Sequence, residues 1–281
     1  MLIRGVLIAL SGFLFIFAPG VPMGLLRRFG RGFPRELLYW GMGIWMVALI
    51  PTYFLQSLVR QAVQGGGSII TAFQAEPATY ALSLVNAVLA ALLLVVGMAV
   101  YLRRKKLSEA ERDEGGLTMG FGVGLIAQVF TGLSLVGAGF RLAYGDTADP
   151  GLRQLANSPM LDLLVGLLAM VLFRVALLTV SGVVGILIAR SVGGSRRFFW
   201  LAAGIYAGFS WLIVAAQLAI GGENPGAILA GQASLLTSAV TVVYYLAAIA
   251  LAYAWLQRTL TDDTLATAPS ARPSRRGRKQ T

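Results

Sequence analysis

The chain has no cysteine and no histidine, and only 12% of its 281 residues are charged. Each shortage excludes chemistry. Without cysteine there is no disulfide framework and no thiolate nucleophile. Without either residue there is no Cys/His zinc site and no His-ligated haem. A serine nucleophile lacks its usual base. Carboxylates are almost as scarce where they would count. The long apolar stretches hold none at mid-length, and the one intramembrane candidate, Asp162, stands at the end of a stretch. Aspartyl, glutamic and metal-dependent hydrolysis, which need His, Asp or Glu at depth, are therefore disfavoured, and so is a proton relay of the kind pumps use. No cofactor and no metal are expected, and the chain reads as a non-enzyme.

What remains is apolar. Hydrophobic residues make up 57% of the chain and the mean hydropathy is +0.75; soluble domains carry about twice this charged fraction. Runs of about 20 apolar residues recur, long enough to cross a bilayer as helices and too long for barrel strands. The expected fold is all-α, a polytopic membrane bundle of about seven spans: Gly5–Leu26, Tyr39–Val59, Thr79–Leu102, Leu117–Ala143, Leu161–Ala189, Phe198–Ile220 and Gln232–Leu256. Residues 1–257 form one transmembrane domain. Residues 258–281, rich in Ala, Ser, Thr, Pro and Arg, are expected to be a disordered basic tail. No internal repeat is evident, which weighs against an inverted-repeat transporter.

The net charge of +11 follows topology. Arg27, Arg28, Arg31 and Arg35 lie in the first connection. Arg103, Arg104, Lys105, Lys106 and Arg112 lie in the third, and Arg190, Arg196 and Arg197 in the fifth. The tail carries Arg258, Arg272, Arg275, Arg276, Arg278 and Lys279. These alternate connections and the tail hold 18 of the 23 basic residues; Arg4, Arg60, Arg141 and Arg153 lie on the other side. The positive-inside rule places the N-terminus outside and the C-terminus in the cytoplasm of a multi-pass protein of the plasma or inner membrane. Arg4 ahead of an apolar run resembles a signal peptide, but Ala18-Pro19-Gly20 is a poor cleavage site, so a retained span kinked at Pro19 and Pro22 is expected. The third connection, with Glu109, Glu111, Asp113 and Glu114 among its bases, reads as a short solvated helix or turn. The second holds Gly65-Gly66-Gly67, a flexible loop, and the fourth, from Tyr144 to Pro159, a turn-rich outer loop. Tyr39, Trp40, Phe198, Phe199, Trp200, Tyr253 and Trp255 sit near span ends as an interfacial belt. Anionic lipid is the expected partner of Arg272, Arg275, Arg276, Arg278 and Lys279. Nucleic acid is disfavoured, because topology and lipid account for the charge.

The remaining basic residue, Arg174, is the most informative. It lies near the middle of the fifth span with no acidic residue within a turn or two. A charge at bilayer depth costs roughly 2.5–3.5 kcal/mol on insertion scales and marks function or a specific buried contact. At a rise of about 1.5 Å per residue, Gln128, Arg174 and Ser210 fall at one mid-membrane level, with Tyr206 about a turn away. A buried polar cluster of Gln128, Arg174, Tyr206 and Ser210 is expected, with the Gln128 carbonyl and the hydroxyls accepting from the guanidinium. The bland alternative is a structural polar lock. The pairs Gly120/Gly124 and Gly204/Gly208 have GxxxG spacing, joined by Gly122, Gly137 and Gly139, and suggest close helix packing in the fourth and sixth spans.

The stretch Gly120-Phe121-Gly122-Val123-Gly124-Leu125-Ile126-Ala127 resembles the G-x-G-H-G-x-x-E helix of the YhfC-type intramembrane proteases, relatives of the CPBP (Rce1-like) glutamic proteases. The similarity continues in order along the chain. Phe54-Leu55-Gln56 through Arg60 resembles the family's second helix, Ala169 through Arg174 to Ser181 its A-x-x-x-H…S helix, and Ala202–Ala207 its later His-bearing helix. Every chemical position differs: Val123, Arg174 and Tyr206 stand for histidines and Ala127 for the glutamate. The resemblance implies the scaffold and a lost activity, a pseudoenzyme. The expectation is a non-catalytic membrane protein that binds a membrane segment, a lipid or a small ligand near Arg174, or serves in a membrane assembly with a protein partner. The competing expectation is a permease for an anionic or neutral solute, with Arg174 as its counter-charge.

Overall fold

The computed structural model describes residues 1–17, 34–64, 76–105, 107–219 and 235–267, together with Gly20 and Gly24. Among them there is no strand, and the chain is built from helices: α1 (Leu2–Phe17), α2 (Arg35–Gln64), α3 (Glu76–Lys105), α4 (Glu109–Ala143), α5 (Pro150–Asn157), α6 (Met160–Gly193), α7 (Arg196–Ala219) and α8 (Leu235–Thr267). A helix overlaps each of the seven expected apolar stretches, and that of the first, α1, has 16 residues. Four of these helices, over Ala81–Lys105, Glu111–Ala143, Met160–Gly193 and Ala239–Thr259, are long and apolar enough to cross a membrane. The outer surfaces of the bundle agree: Val47 and Ile50 of α2 and Leu251 of α8 are 67%, 68% and 74% exposed. Apolar side chains on every long helix thus face outward, as lipid contact requires. Pro19, Pro22, Gly65–Gly67 and the basic residues Arg272–Lys279 lie outside the described residues.

Helix α4 is central because its glycines let three neighbours approach. Gly116 lies against the Gly185 carbonyl and Ala189, Gly120 against the Ser181 carbonyl and Gly182, and Gly124 against Leu178. These steps of four residues along α4 match descending steps along α6, so the two helices run antiparallel in close register. A second face carries Gly122, opposite Leu38 and Gly41 of α2. The third carries Gly132 and Gly139, which meet Gly12, Phe15 and Ala9 of α1. Without a hydrophobic drive in lipid, such backbone approach is a principal source of helix association. The expected single small-residue face is therefore three faces. Gly137, Gly204 and Gly208 do not take part, since an added Cβ at any of them meets no atom within 4 Å. The sixth span's GxxxG pair thus mediates no close approach: α7 packs instead on α3 and α6.

Ion pairs gather the helix ends. Lys105 pairs with Glu36 at 2.5 Å, joining α3 to α2, and Arg190 pairs with Asp113 at 2.5 Å, joining α6 to α4. At the opposite end Arg141 donates to Asp146 at 2.8 Å, and Arg4 donates to the Leu155 and Ala156 carbonyls that close α5. Two connections and the start of the tail differ from expectation. The third is not a separate turn: Ser108 caps α4 through a capping box with Glu111, so Glu109–Gly116 are its first two turns. The outer loop contains α5, and α8 continues past Leu256 to Thr267, within the expected tail. The first proline after Leu256 is Pro269, so nothing before Thr267 breaks the helix.

Among the described residues two apolar cores result. The larger lies among α3, α4, α6, α7 and α8, around Val95, Met98, Val123, Val184 and Ile186. The smaller joins Ile8, Leu142, Leu163 and Leu167 of α1, α4 and α6.

Candidate functional site

Arg174 projects from the middle of α6 toward α4. Its Nη2–H donates to Thr131 Oγ1 at 2.5 Å, and its guanidinium carbon lies 4.9 Å from the centre of the Phe173 ring. Among the described residues no carboxylate pairs with it. Tyr245 of α8 and Tyr206 of α7 lie within electrostatic reach. Four helices therefore converge on one cation.

The acceptor is not the one expected. Gln128 spends its amide N–H on the backbone carbonyl of Arg174, at 2.9 Å, and its Oε1 is buried without a partner. Geometry explains the choice. Helical side chains lean toward their own N-terminus. Because α4 is antiparallel to α6, that lean carries the guanidinium past Gln128, which stands level with Arg174, toward Thr131. Residues three apart share a helix face, so the spacing of Gln128 and Thr131 was the available signal. Tyr206 is buried on α7. Ser210 is half-buried on α7, and among the described residues no hydrogen bond joins it to Arg174.

Beneath the arginine lies an aromatic floor that sequence reasoning did not assemble. Phe173 packs on Tyr245 with ring centres 5.2 Å apart, Tyr245 on Tyr244 at 5.5 Å, and Tyr244 on Phe209 at 6.0 Å. The Tyr244 hydroxyl donates to the Phe209 carbonyl at 3.1 Å, tying α8 to α7. These pairs fall within the range for favourable aromatic contact.

Chemically the site offers a cation with five N–H donors, one of them engaged by Thr131, beside a vacant amide oxygen. It can hold an acceptor-rich group. It has no group that would serve as nucleophile and base together, and among the described residues no cluster of His, Cys, Asp or Glu could hold a metal ion. Comparison with known protein families, with curated proteins and with solved structures returns no match for this chain.

Proposed function

We propose that this is a non-catalytic, multi-pass membrane protein that holds an acceptor-rich ligand at Arg174: the polar group of a lipid, of a small amphiphile or of a partner's membrane segment. The observation that carries the reading is the guanidinium at mid-bundle, bonded to Thr131 with no carboxylate against it among the described residues. Such a charge is costly in lipid and is usually kept for use. The proposal includes seven spans, with the N-terminus outside and the C-terminus inside, in a plasma or inner membrane. Ion pairs support that topology. Glu36–Lys105 and Asp113–Arg190 gather the ends of α2, α3, α4 and α6 on the basic side, while Arg4 and Arg141 lie on the other. A scaffold like that of the YhfC-type proteases is part of the same proposal. What supports it is that Arg174 and Tyr206, both standing where that family carries histidine, lie within electrostatic reach of each other.

The test is a melting curve of the purified chain in detergent with decanoate or decanol, which differ only in the head group. Decanoate is expected to raise the melting temperature of the wild type and not of Arg174→Gln, while decanol raises neither. Cleavage of a transmembrane peptide by the purified chain, lost in Arg174→Ala, would overturn the non-catalytic reading.

A further inference from the structure

Between α6, α7 and α8 runs a groove of about 460 Å³, lined by apolar side chains including Leu187, Leu201, Ile205, Ala247 and Leu251. It extends from Trp255 at one end to Phe209 and Tyr244 at the other, on the flank of the aromatic floor. We infer that this groove holds one acyl chain of an anionic phospholipid, with the lipid phosphate against Arg196, Arg197 and Arg258. This second site rests on the membrane-spanning reading and not on any ligand at Arg174.

Length, volume and charge agree on the occupant. From Trp255 to Tyr244 the groove follows three turns of α8, about 16 Å at 1.5 Å per residue. That is one leaflet of a hydrocarbon core about 30 Å thick. At roughly 30 Å³ for a group the size of a water molecule, the groove takes about fifteen such groups, the size of one lipid tail. Phe199 and Trp200, whose rings meet at 5.4 Å, stand at the start of α7 just before the lining residue Leu201, as aromatic residues at the head-group level do. Arg196 and Arg197 lie four or five residues before Leu201, and Arg258 lies three after Trp255. All three are exposed, and none has an ion-pair partner among the described residues, whereas nearby Arg190 is bonded to Asp113. An apolar slot one leaflet deep, with cations at its Trp255 end, is complementary to an anionic two-tailed lipid.

The full chain, exchanged into detergent with equal dioleoyl phosphatidylglycerol and dioleoyl phosphatidylcholine, is read by native mass spectrometry. One phosphatidylglycerol per chain is expected to survive in preference to phosphatidylcholine. Arg196→Gln with Arg197→Gln is expected to cut that preference about 30-fold, from about one decade of affinity per 1.4 kcal/mol and about 1 kcal/mol per basic residue. Ala247→Trp, which fills the slot, is expected to abolish retention of both lipids while the chain still melts cooperatively. Arg153→Gln, at the other end, is expected to change neither. Equal retention of the two lipids by the wild type, undiminished retention in Ala247→Trp, or a loss in Arg153→Gln as large as in the double variant would each overturn the inference. Arg174→Leu is expected to retain phosphatidylglycerol normally, so the two sites fail separately.

Discussion

Replacing Arg174 by leucine removes a charge and leaves an apolar side chain at the same depth. Two opposing effects decide the outcome. The variant loses a hydrogen bond from a charged donor to Thr131, worth about 1.5–3 kcal/mol, and the contact with the Phe173 ring, worth about 0.5–1 kcal/mol. It is also relieved of a buried charge, worth about 2.5–3.5 kcal/mol. These nearly cancel, so Arg174→Leu is expected to melt within about 1 kcal/mol of wild type, a shift of about 2–4 °C at most. Thr131→Val keeps the shape but strips the guanidinium of its acceptor, and is expected to cost about 1.5–3 kcal/mol. The double variant removes both the charge and its need, so it is expected to return near wild type. The cycle is measured by thermal melting of the four proteins in one detergent. If Arg174→Leu falls as far as Thr131→Val, the arginine is a structural lock and the ligand-holding argument collapses.

Two further predictions concern the fold. Gly120→Ala would set a methyl against the Ser181 carbonyl and 3.0 Å from Gly182 Cα, backbone on both counts, so α4 and α6 must separate at a cost of about 1–3 kcal/mol. Gly204→Ala meets nothing and gains roughly 0.5–1 kcal/mol in helix preference, so equal melting shifts for the two would refute the packing scheme. Acid should loosen both ends of the bundle. Arg141 and the Ala148 N–H hold the Asp146 carboxyl below its ordinary range, and Lys105 and Tyr101 do the same for Glu36. Carboxyl groups depressed in the folded state add stability that is complete above their ordinary values of 3.8 and 4.5 and is lost as pH falls through the lowered ones. The hydrogen-exchange protection factors of Ala148 and Leu37, relative to the intrinsic rate at each pH, should therefore fall below about pH 4 and stay flat from pH 5 to 8. Protection already lost at pH 6 would exclude these carboxylates as the cause.

The fold class was legible because lipid leaves few alternatives. Runs of 20 apolar residues admit helices, and the described residues contain nothing else regular. Boundaries were less legible. A sequence window ends a span where charge begins, but a helix continues until something breaks it. The Ser108–Glu111 capping box carried α4 two turns into the charged connection, and the lack of a proline before Pro269 carried α8 to Thr267. Glycine spacing was legible as close packing and illegible as to partner. Gly120 and Gly204 share the same GxxxG pattern, yet the first lies on α6 and the second meets nothing. The pattern states that a helix can approach, and only topology states which helix does.

The candidate site shows the same division more sharply. Counting residues along each span put Gln128 level with Arg174, and the structure joins them through the Arg174 carbonyl at 2.9 Å. Depth counting treats a residue as a point at its Cα, whereas a guanidinium acts several ångströms away, in the direction its Cβ sets. For a helix antiparallel to its neighbour, that offset shifts the true acceptor by about one turn, from Gln128 to Thr131. The same correction explains the vacant Gln128 Oε1. It stands at the level of the arginine's backbone, where the charge no longer is, and so is buried with no donor against it.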